Sequence, residues 1–252
     1  MSIPPKLALL EEFAMVARAL GAPQRLVMLE QLGQGERGVE DLARKVGISV
    51  ANCSQHLQTL RRAGLVTSRR QGKSVIYAMS DAHVLSLMNS LSEVAERNLA
   101  EVERILRGLS DGAEPPQAMT RDELEMRLAD GSVTVIDLRP IDEFERAHLP
   151  GATHVPLEAL EGFSQNHDPT REVIAYCRGP YCLYSHQAVA RLRARGLIAR
   201  RMEGGLPEWR ADARQIEGAE DGTVNNSTVT EGTAEEVIAD EGNLEDGLAA
   251  HR

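Results

Sequence analysis

The chain has 252 residues, with 28 Lys and Arg against 38 Asp and Glu, a formal net charge of −10, 42% hydrophobic residues and three cysteines. That length suits two small domains, and so sparse and odd a cysteine set excludes a secreted disulfide framework. No apolar run reaches the roughly 20 residues of a membrane span, and the first apolar run is broken by Glu11 and Glu12, which excludes a signal peptide and points to a cytoplasmic protein with no membrane partner.

In chain order, apolar helical patterns run through 7–20, 23–33 and 39–46, the last ending at Gly47. Ser49 is an N-cap candidate for a further helix whose stripe Val50, Cys53, Leu57 and Leu60 stops near Gly64. Cys53 on that stripe reads as core filler. LVTSRRQGKSVIYAMS holds two β-prone runs around Gln71-Gly72, a hairpin signal. One long helix is expected from Asp81 to Leu109, its apolar positions stepping by three or four, and its length suggests pairing with another helix.

Charge is unevenly spread: residues 1–110 carry net +3, 111–215 net −4 and 216–252 net −9. No Asp or Glu occurs between Asp41 and Asp81, while Arg44, Lys45, Arg61, Arg62, Arg69, Arg70 and Lys73 fall there. A basic window without carboxylates is what a phosphate-facing surface requires. Helix, turn, helix and basic hairpin is the layout that puts one helix in the major groove and lays the hairpin along the phosphates. The DNA surface is assigned to Ser49, Asn52, Ser54, Gln55, His56, Gln58 and Thr59 on the second helix, where Asn and Gln match the edge of adenine. Arg61, Arg62, Arg69, Arg70 and Lys73 are assigned to phosphates. A solvated polar face is the alternative for any one of these residues.

LGAPQRLVMLEQL, followed by DLARKVGISVANCSQHLQTLRRAGLVTSRRQGKSVIYAMSD, resembles the ArsR/SmtB family of dimeric winged-helix repressors, over roughly residues 8–108. The resemblance implies a homodimer built from the first and last helices, a double-stranded DNA operator, and a chemical signal that weakens DNA binding. Metal-sensing members carry a cysteine pair before the recognition helix; this sequence has GERGVEDL there, with Arg37 and Glu40. Others place D-x-H and a later H-x-x-E on the dimer helix; here Asp81 and His83 are followed by Val94 and Arg97. No metal site and no cofactor are expected.

GLSDGAEPPQAMT marks a domain boundary. The expected division is 1–109 for the winged helix, 110–120 for a linker, 121–213 for an α/β domain and 214–252 for a disordered acidic tail. TRDELEMRLAD reads as a helix, VTVIDL as a buried strand, REVIAYC as a second strand, SHQAVARLRARG as a helix and ARRME as a third strand, which together imply a parallel sheet. Cys177 ends the second strand just before a loop and a helix. Inward backbone N–H groups, the helix dipole and Arg178 would all favour its thiolate there. Cys182 either serves as a resolving thiol for Cys177 or packs under the loop.

VIDLRPIDEFERAHLPGATHVPLEAL, then IAYCRGPYCLYSHQAVARLRARG and MEGGLPEW, is similar to the rhodanese-like domain over about residues 118–213. That resemblance implies a sulfane-sulfur carrier at Cys177, with Asp137, Arg139, Glu143 and His148 holding the fold and the loop. Aligning Ser185 with the usual helix start makes the loop about two residues longer than the common pattern. Phosphatase and arsenate-reductase relatives need an Arg six positions after the Cys, and Leu183 stands there. The expected function is therefore a DNA-binding regulator, a repressor, whose rhodanese-like domain senses a small sulfur donor or thiol-reactive effector. The alternatives are a sulfurtransferase using the winged helix for dimerisation or targeting, and a constitutive regulator with a vestigial loop.

Overall fold

The computed structural model describes residues 4–109, 117–179 and 182–218. Helices α1 (Pro5–Leu20) and α2 (Pro23–Gly33) each begin on proline, which suits the first helical position because the N–H it lacks would be unpaired there. A two-residue strand β1 (Arg37–Gly38), not anticipated from the sequence, leads into α3 (Val39–Val46). Gly47 ends that helix at φ 74°, in the left-handed region that glycine enters without a Cβ penalty. Ser49 caps α4 (Val50–Arg62) as expected, its Oγ accepting the Asn52 N–H at 3.2 Å.

The basic hairpin forms from β2 (Val66–Gln71) and β3 (Ser74–Met79), and β1 adds to the far edge of β3, giving the antiparallel order β1-β3-β2. Met28 and Leu29 of α2, Leu42 of α3, and Cys53, Leu57 and Leu60 of α4 fill one core with Leu65, Val66 and Tyr77. Cys53 is fully buried, and burial pushes its thiol pKa up.

The long helix expected over 81–109 is two helices, α5 (Ala82–Asn98) and α6 (Ala100–Gly108), broken at an extended Leu99. At the break the Asn98 side-chain amide donates to the Val94 carbonyl at 2.8 Å. An Asn side chain competes in this way with the backbone ladder, a local effect that apolar spacing does not register.

The second half is α/β. Thr120 caps α7 (Arg121–Ala129), followed by β4 (Val133–Asp137), α8 (Ile141–Arg146), β5 (Thr153–His154), a 3₁₀ turn at Leu157–Ala159, and α9 (Leu160–Asn166). Then come β6 (Glu172–Tyr176), α10 (Leu183–Ala194), β7 (Ala199–Arg201) and α11 (Leu206–Ala211). The four strands are parallel in the order β5-β4-β6-β7. Alternation along β6 sends Val173, Ala175 and Cys177 to a core shared with α10, and Ile174 and Tyr176 to one shared with α7 and α11.

Three boundaries differ from expectation. Helix α10 begins at Leu183, with Cys182 as its N-cap, two residues ahead of Ser185. Met119, placed in the linker, is fully buried and bridges Met202, so the α/β core starts earlier. Residues 214–218, placed in the tail, are docked: Gln215 O accepts the Trp209 indole N–H at 2.7 Å and Glu217 bridges His148. The rest of the expected acidic tail, and most of the expected linker, lie outside the described residues. All the described residues belong to one compact unit.

Candidate functional site: a thiol loop and a DNA surface

The chain leaves β6 at Tyr176 and enters α10 at Leu183, and the turn between them carries both loop cysteines. Cys177 and Cys182 are joined as a disulfide, with Cα atoms 6.1 Å apart. Cys177 is 2% exposed and Cys182 6%. The loop is seated on the glycine pair before α11. A Cβ on Gly205 would stand 2.5 Å from Gly179 N and 2.6 Å from Cys177 O, so only glycine allows the two backbones this close.

The Arg178 guanidinium, expected to favour the Cys177 thiolate, is taken up by a carboxylate. Its Nε and Nη2 each donate at 2.9 Å to the Glu143 carboxylate, a bidentate pair at the start of α8. Burial is the largest influence on the Glu143 pKa and would raise it, but the Arg178 hydrogen bonds and the charges of Arg178, Lys45 and Arg37 together hold the carboxyl below its usual range. Glu143 Oε1 also lies 3.3 Å from Arg37 Nη2 and 3.3 Å from Lys45 Nζ, so three cations converge on one buried carboxylate.

The other motif residues hold the fold, as the rhodanese resemblance implies. Arg139 is fully buried, paired with Asp137 and donating to Ala147 O at 2.6 Å. The Tyr176 hydroxyl donates to Asp137 and accepts the Leu149 N–H at 3.1 Å. Burial, with Asp137 beside it, keeps the Tyr176 pKa far above its ordinary value. His148 stacks on Phe144 at 3.9 Å and reaches Glu217.

On α4, Asn52, Gln55 and Gln58 are exposed, and Gln55, Gln58 and Arg62 follow one another at helical spacing on the outward face. Ser49 is spent on the cap, and the Thr59 hydroxyl donates to Gln55 O at 3.1 Å. Ser54 and His56 are half-buried, and the His56 ring lies 3.5 Å from Arg25 on α2, so its placement is at the side of the helix. Arg61, Arg62, Arg69, Arg70 and Lys73 are exposed. Arg69, however, pairs with Glu36 at 2.5 Å, a carboxylate that precedes the acid-free window in sequence and meets it in space. Lys45, counted in that window, points to Glu143 instead.

Two family patterns match this chain: the bacterial regulatory protein, arsR family, over residues 22–68, and the rhodanese-like domain over residues 120–212. The HTH-type transcriptional regulator Rv0324 of Mycobacterium tuberculosis is 37% identical over 205 residues, which are 81% of this chain and 90% of that protein. The chain belongs to the arsR family.

It is an ArsR-type transcriptional regulator with a rhodanese-like domain. Among solved structures, it is similar to the homodimeric winged helix-turn-helix DNA-binding domain (fragment 1–100) of Mb0332 from Mycobacterium bovis. That fragment is 36% identical with a TM-score of 0.36, over 39% of this chain and 92% of that one. The rhodanese-like domain of Alr3790 from Anabaena sp. is 26% identical with a TM-score of 0.37, over 56% of this chain and 98% of that one.

In this ArsR-type regulator Asp81 is the N-cap of α5, accepting the His83 N–H at 2.7 Å, and the His83 side chain is exposed. Arg37, in the GERGVEDL segment, is 4% exposed and bonds Gln31 O, Asp41 and Glu143. Reading the sequence missed Gln34, Arg37 and Lys45 as parts of the thiol site. No local signal marks them, because their partners lie on the other half of the chain.

Proposed function

We propose that this regulator is a homodimer that binds a double-stranded DNA operator and is switched by sulfane sulfur through Cys177 and Cys182. The observation that carries the reading is the loop itself: two buried cysteines within bonding reach at the end of a rhodanese-type strand, in the same compact unit as an ArsR winged helix. The chemistry is a two-step exchange. The Cys177 thiolate attacks the outer sulfur of an organic persulfide, releasing the thiol and leaving a persulfide on Cys177. The Cys182 thiolate then attacks the inner sulfur, hydrosulfide departs, and the disulfide closes. The pair of thiols loses two electrons, and the sulfane sulfur leaves as hydrogen sulfide.

Burial of Cys177 at 2% exposure favours a slow switch over a sulfurtransferase, whose carrier sulfur must meet an acceptor at every turnover. Gln55, Gln58 and Arg62 read base edges, with Asn52 beside them, and Arg61, Arg70 and Lys73 take phosphates. The half-buried Ser54, His56 and Thr59 support the helix from its sides. Electrophoretic mobility shifts with and without an organic persulfide, on wild type and Cys177→Ser, test the reading. Persulfide is expected to weaken operator binding by wild type only; equal affinity in all four cases removes it. Fast turnover of thiosulfate with cyanide, together with no sequence-specific DNA binding, would establish the enzyme instead.

A further inference from the structure

We propose that the sulfur site is completed by the DNA-binding half: Gln34, Arg37 and Lys45 are positioning residues of the Cys177–Cys182 loop, acting through Glu143 and Arg178. The inference rests on the reading of these two cysteines as the reactive pair and adds where their chemistry is controlled from.

The geometry is reciprocal. Gln34, at the end of α2 and 3% exposed, donates from Nε2 to the Arg178 carbonyl oxygen at 2.8 Å and accepts on Oε1 from Arg139 Nη1 at 3.3 Å. One amide therefore fixes both the residue after Cys177 and the buried arginine of the α/β core. Glu143 holds the Arg178 side chain, and Arg37 and Lys45 offset the Glu143 charge from the other side. The backbone and the side chain of Arg178 are thus both anchored, directly or through Glu143, to residues of the winged helix. An isolated rhodanese-like domain would keep the Glu143–Arg178 pair and lose all three of these neighbours.

The two cations sit on the elements that carry the DNA surface. Arg37 lies on β1, opposite Tyr77 of the hairpin strand β3. Lys45 lies in the last turn of α3, one turn of chain before the cap of α4. A movement of Arg178 as the disulfide opens therefore reaches the wing through Arg37 and the recognition helix through Lys45. Paired buried charges transmit such a movement because leaving one of them unpaired is costly, and coupling of this kind acts equally in both directions.

The test reads the sulfur equilibrium in the full chain, with substitutions made only in the winged helix. In mixtures of reduced and oxidised dithiothreitol, the reagent's two thiols open the Cys177–Cys182 bond. The protein sulfurs gain two electrons and two protons, and the reagent closes to its cyclic disulfide. Wild type, Lys45→Met, Lys45→Arg and Gln34→Leu are compared by mass after alkylation. The described loop is the disulfide form, so loosening its anchor is expected to lower the equilibrium constant for disulfide formation. The expected drop is about fivefold or more in Lys45→Met and Gln34→Leu, with Lys45→Arg close to wild type.

If Lys45→Met and Gln34→Leu, both folded by circular dichroism, titrate as wild type, the proposal is overturned, whatever the cysteines do to DNA binding. If the shift is present while wild-type operator affinity ignores persulfide, the positioning role stands and the sensing function falls.

Discussion

Lys45 and Glu143 stand 98 positions apart in the chain, yet the ammonium of one lies 3.3 Å from the carboxylate of the other, and that carboxylate also clamps Arg178 beside Cys177. Removing the carboxylate leaves Arg178 without its counter-charge, and Arg37 with Asp41 alone, in a site of low exposure. Breaking a buried pair from one side costs about 3–5 kcal/mol. Glu143→Ala is expected to lose that much stability in urea unfolding, and Glu143→Gln less, because the amide oxygen still accepts. A loss under 1 kcal/mol in Glu143→Ala would mean that the cluster is solvated rather than buried.

Acid should act on the same carboxylate. Its folded pKa is depressed, so its contribution is present above the ordinary carboxylate range and fades as the pH falls through the folded value. His186 acts in a higher window. Burial, with Arg201 nearby, lowers its pKa from 6.5 to about 4. Between those values the unfolded chain binds a proton that the folded chain refuses, so stability rises with pH across the window, by at most about 3 kcal/mol. Urea midpoints of wild type should fall between pH 6.5 and 4, and those of His186→Gln should fall less. Parallel curves for the two proteins would remove His186 as the cause.

Much of this fold is legible in the sequence. Ser49, Gly47 and the Val50–Leu60 stripe determine α3 and α4 through local rules, a cap, a left-handed residue and a helical period, and the structure places them as read except Val50, which opens the helix 44% exposed while Cys53, Leu57 and Leu60 are buried. Cys177 was legible because strand-then-loop-then-helix is a local pattern. The break at Leu99 was not, since it turns on one Asn side chain. Nor was the Glu143 cluster: Gln34, Arg37 and Lys45 look like ordinary surface positions of a winged helix, and their partners lie more than 90 residues downstream. Glu36 shows the same limit, because a window free of acid in sequence need not be so in space.

The Glu36–Arg69 pair gives a prediction about DNA. In the free protein Arg69 is held by Glu36 at 2.5 Å, and a phosphate must displace that carboxylate. Glu36→Gln removes the competitor and a negative charge next to the wing. Nonspecific affinity for double-stranded DNA should rise, and the slope of log affinity against log salt should steepen by up to about one counterion. Fluorescence anisotropy over a salt series checks both. An unchanged slope would place Arg69 outside the contact surface.

Gly205 sits so close to the loop that a methyl group there meets Gly179 N, Arg178 C and Cys177 O at 2.5–2.6 Å, all backbone atoms that no side-chain rotation can clear. Gly205→Ala should therefore displace the loop and destabilise the domain by about 1–3 kcal/mol, the range for overpacking. The displaced loop should also alkylate faster at Cys177 under reducing conditions. Gly196→Ala offers the contrast. Its φ of 83° strains an added Cβ, but no atom lies within 4 Å, so it should lower stability without changing the thiol. Equal alkylation rates in the two variants would show that the added methyl group at Gly205 does not displace the thiol loop.

The proposed homodimer makes the remaining prediction. Leu7, Leu10 and Phe13 on α1 and Leu87, Leu91 and Val94 on α5 recur at helical spacing, and each is between 38% and 60% exposed in the single chain. Stripes this apolar are left for another surface, and the proposed dimer would bury these two against a second copy of the chain. A two-fold interface counts every substitution twice. Burying one phenylalanine side chain is worth about 1.5–3 kcal/mol, so Phe13→Glu should weaken association by two such terms, about a hundredfold or more in the dimer dissociation constant. Sedimentation equilibrium of wild type and Phe13→Glu measures it directly. Operator affinity should fall with the dimer, because each half-site then has to be bound alone. A wild type that stays monomeric at tens of micromolar would remove the homodimer and leave both stripes for a different partner.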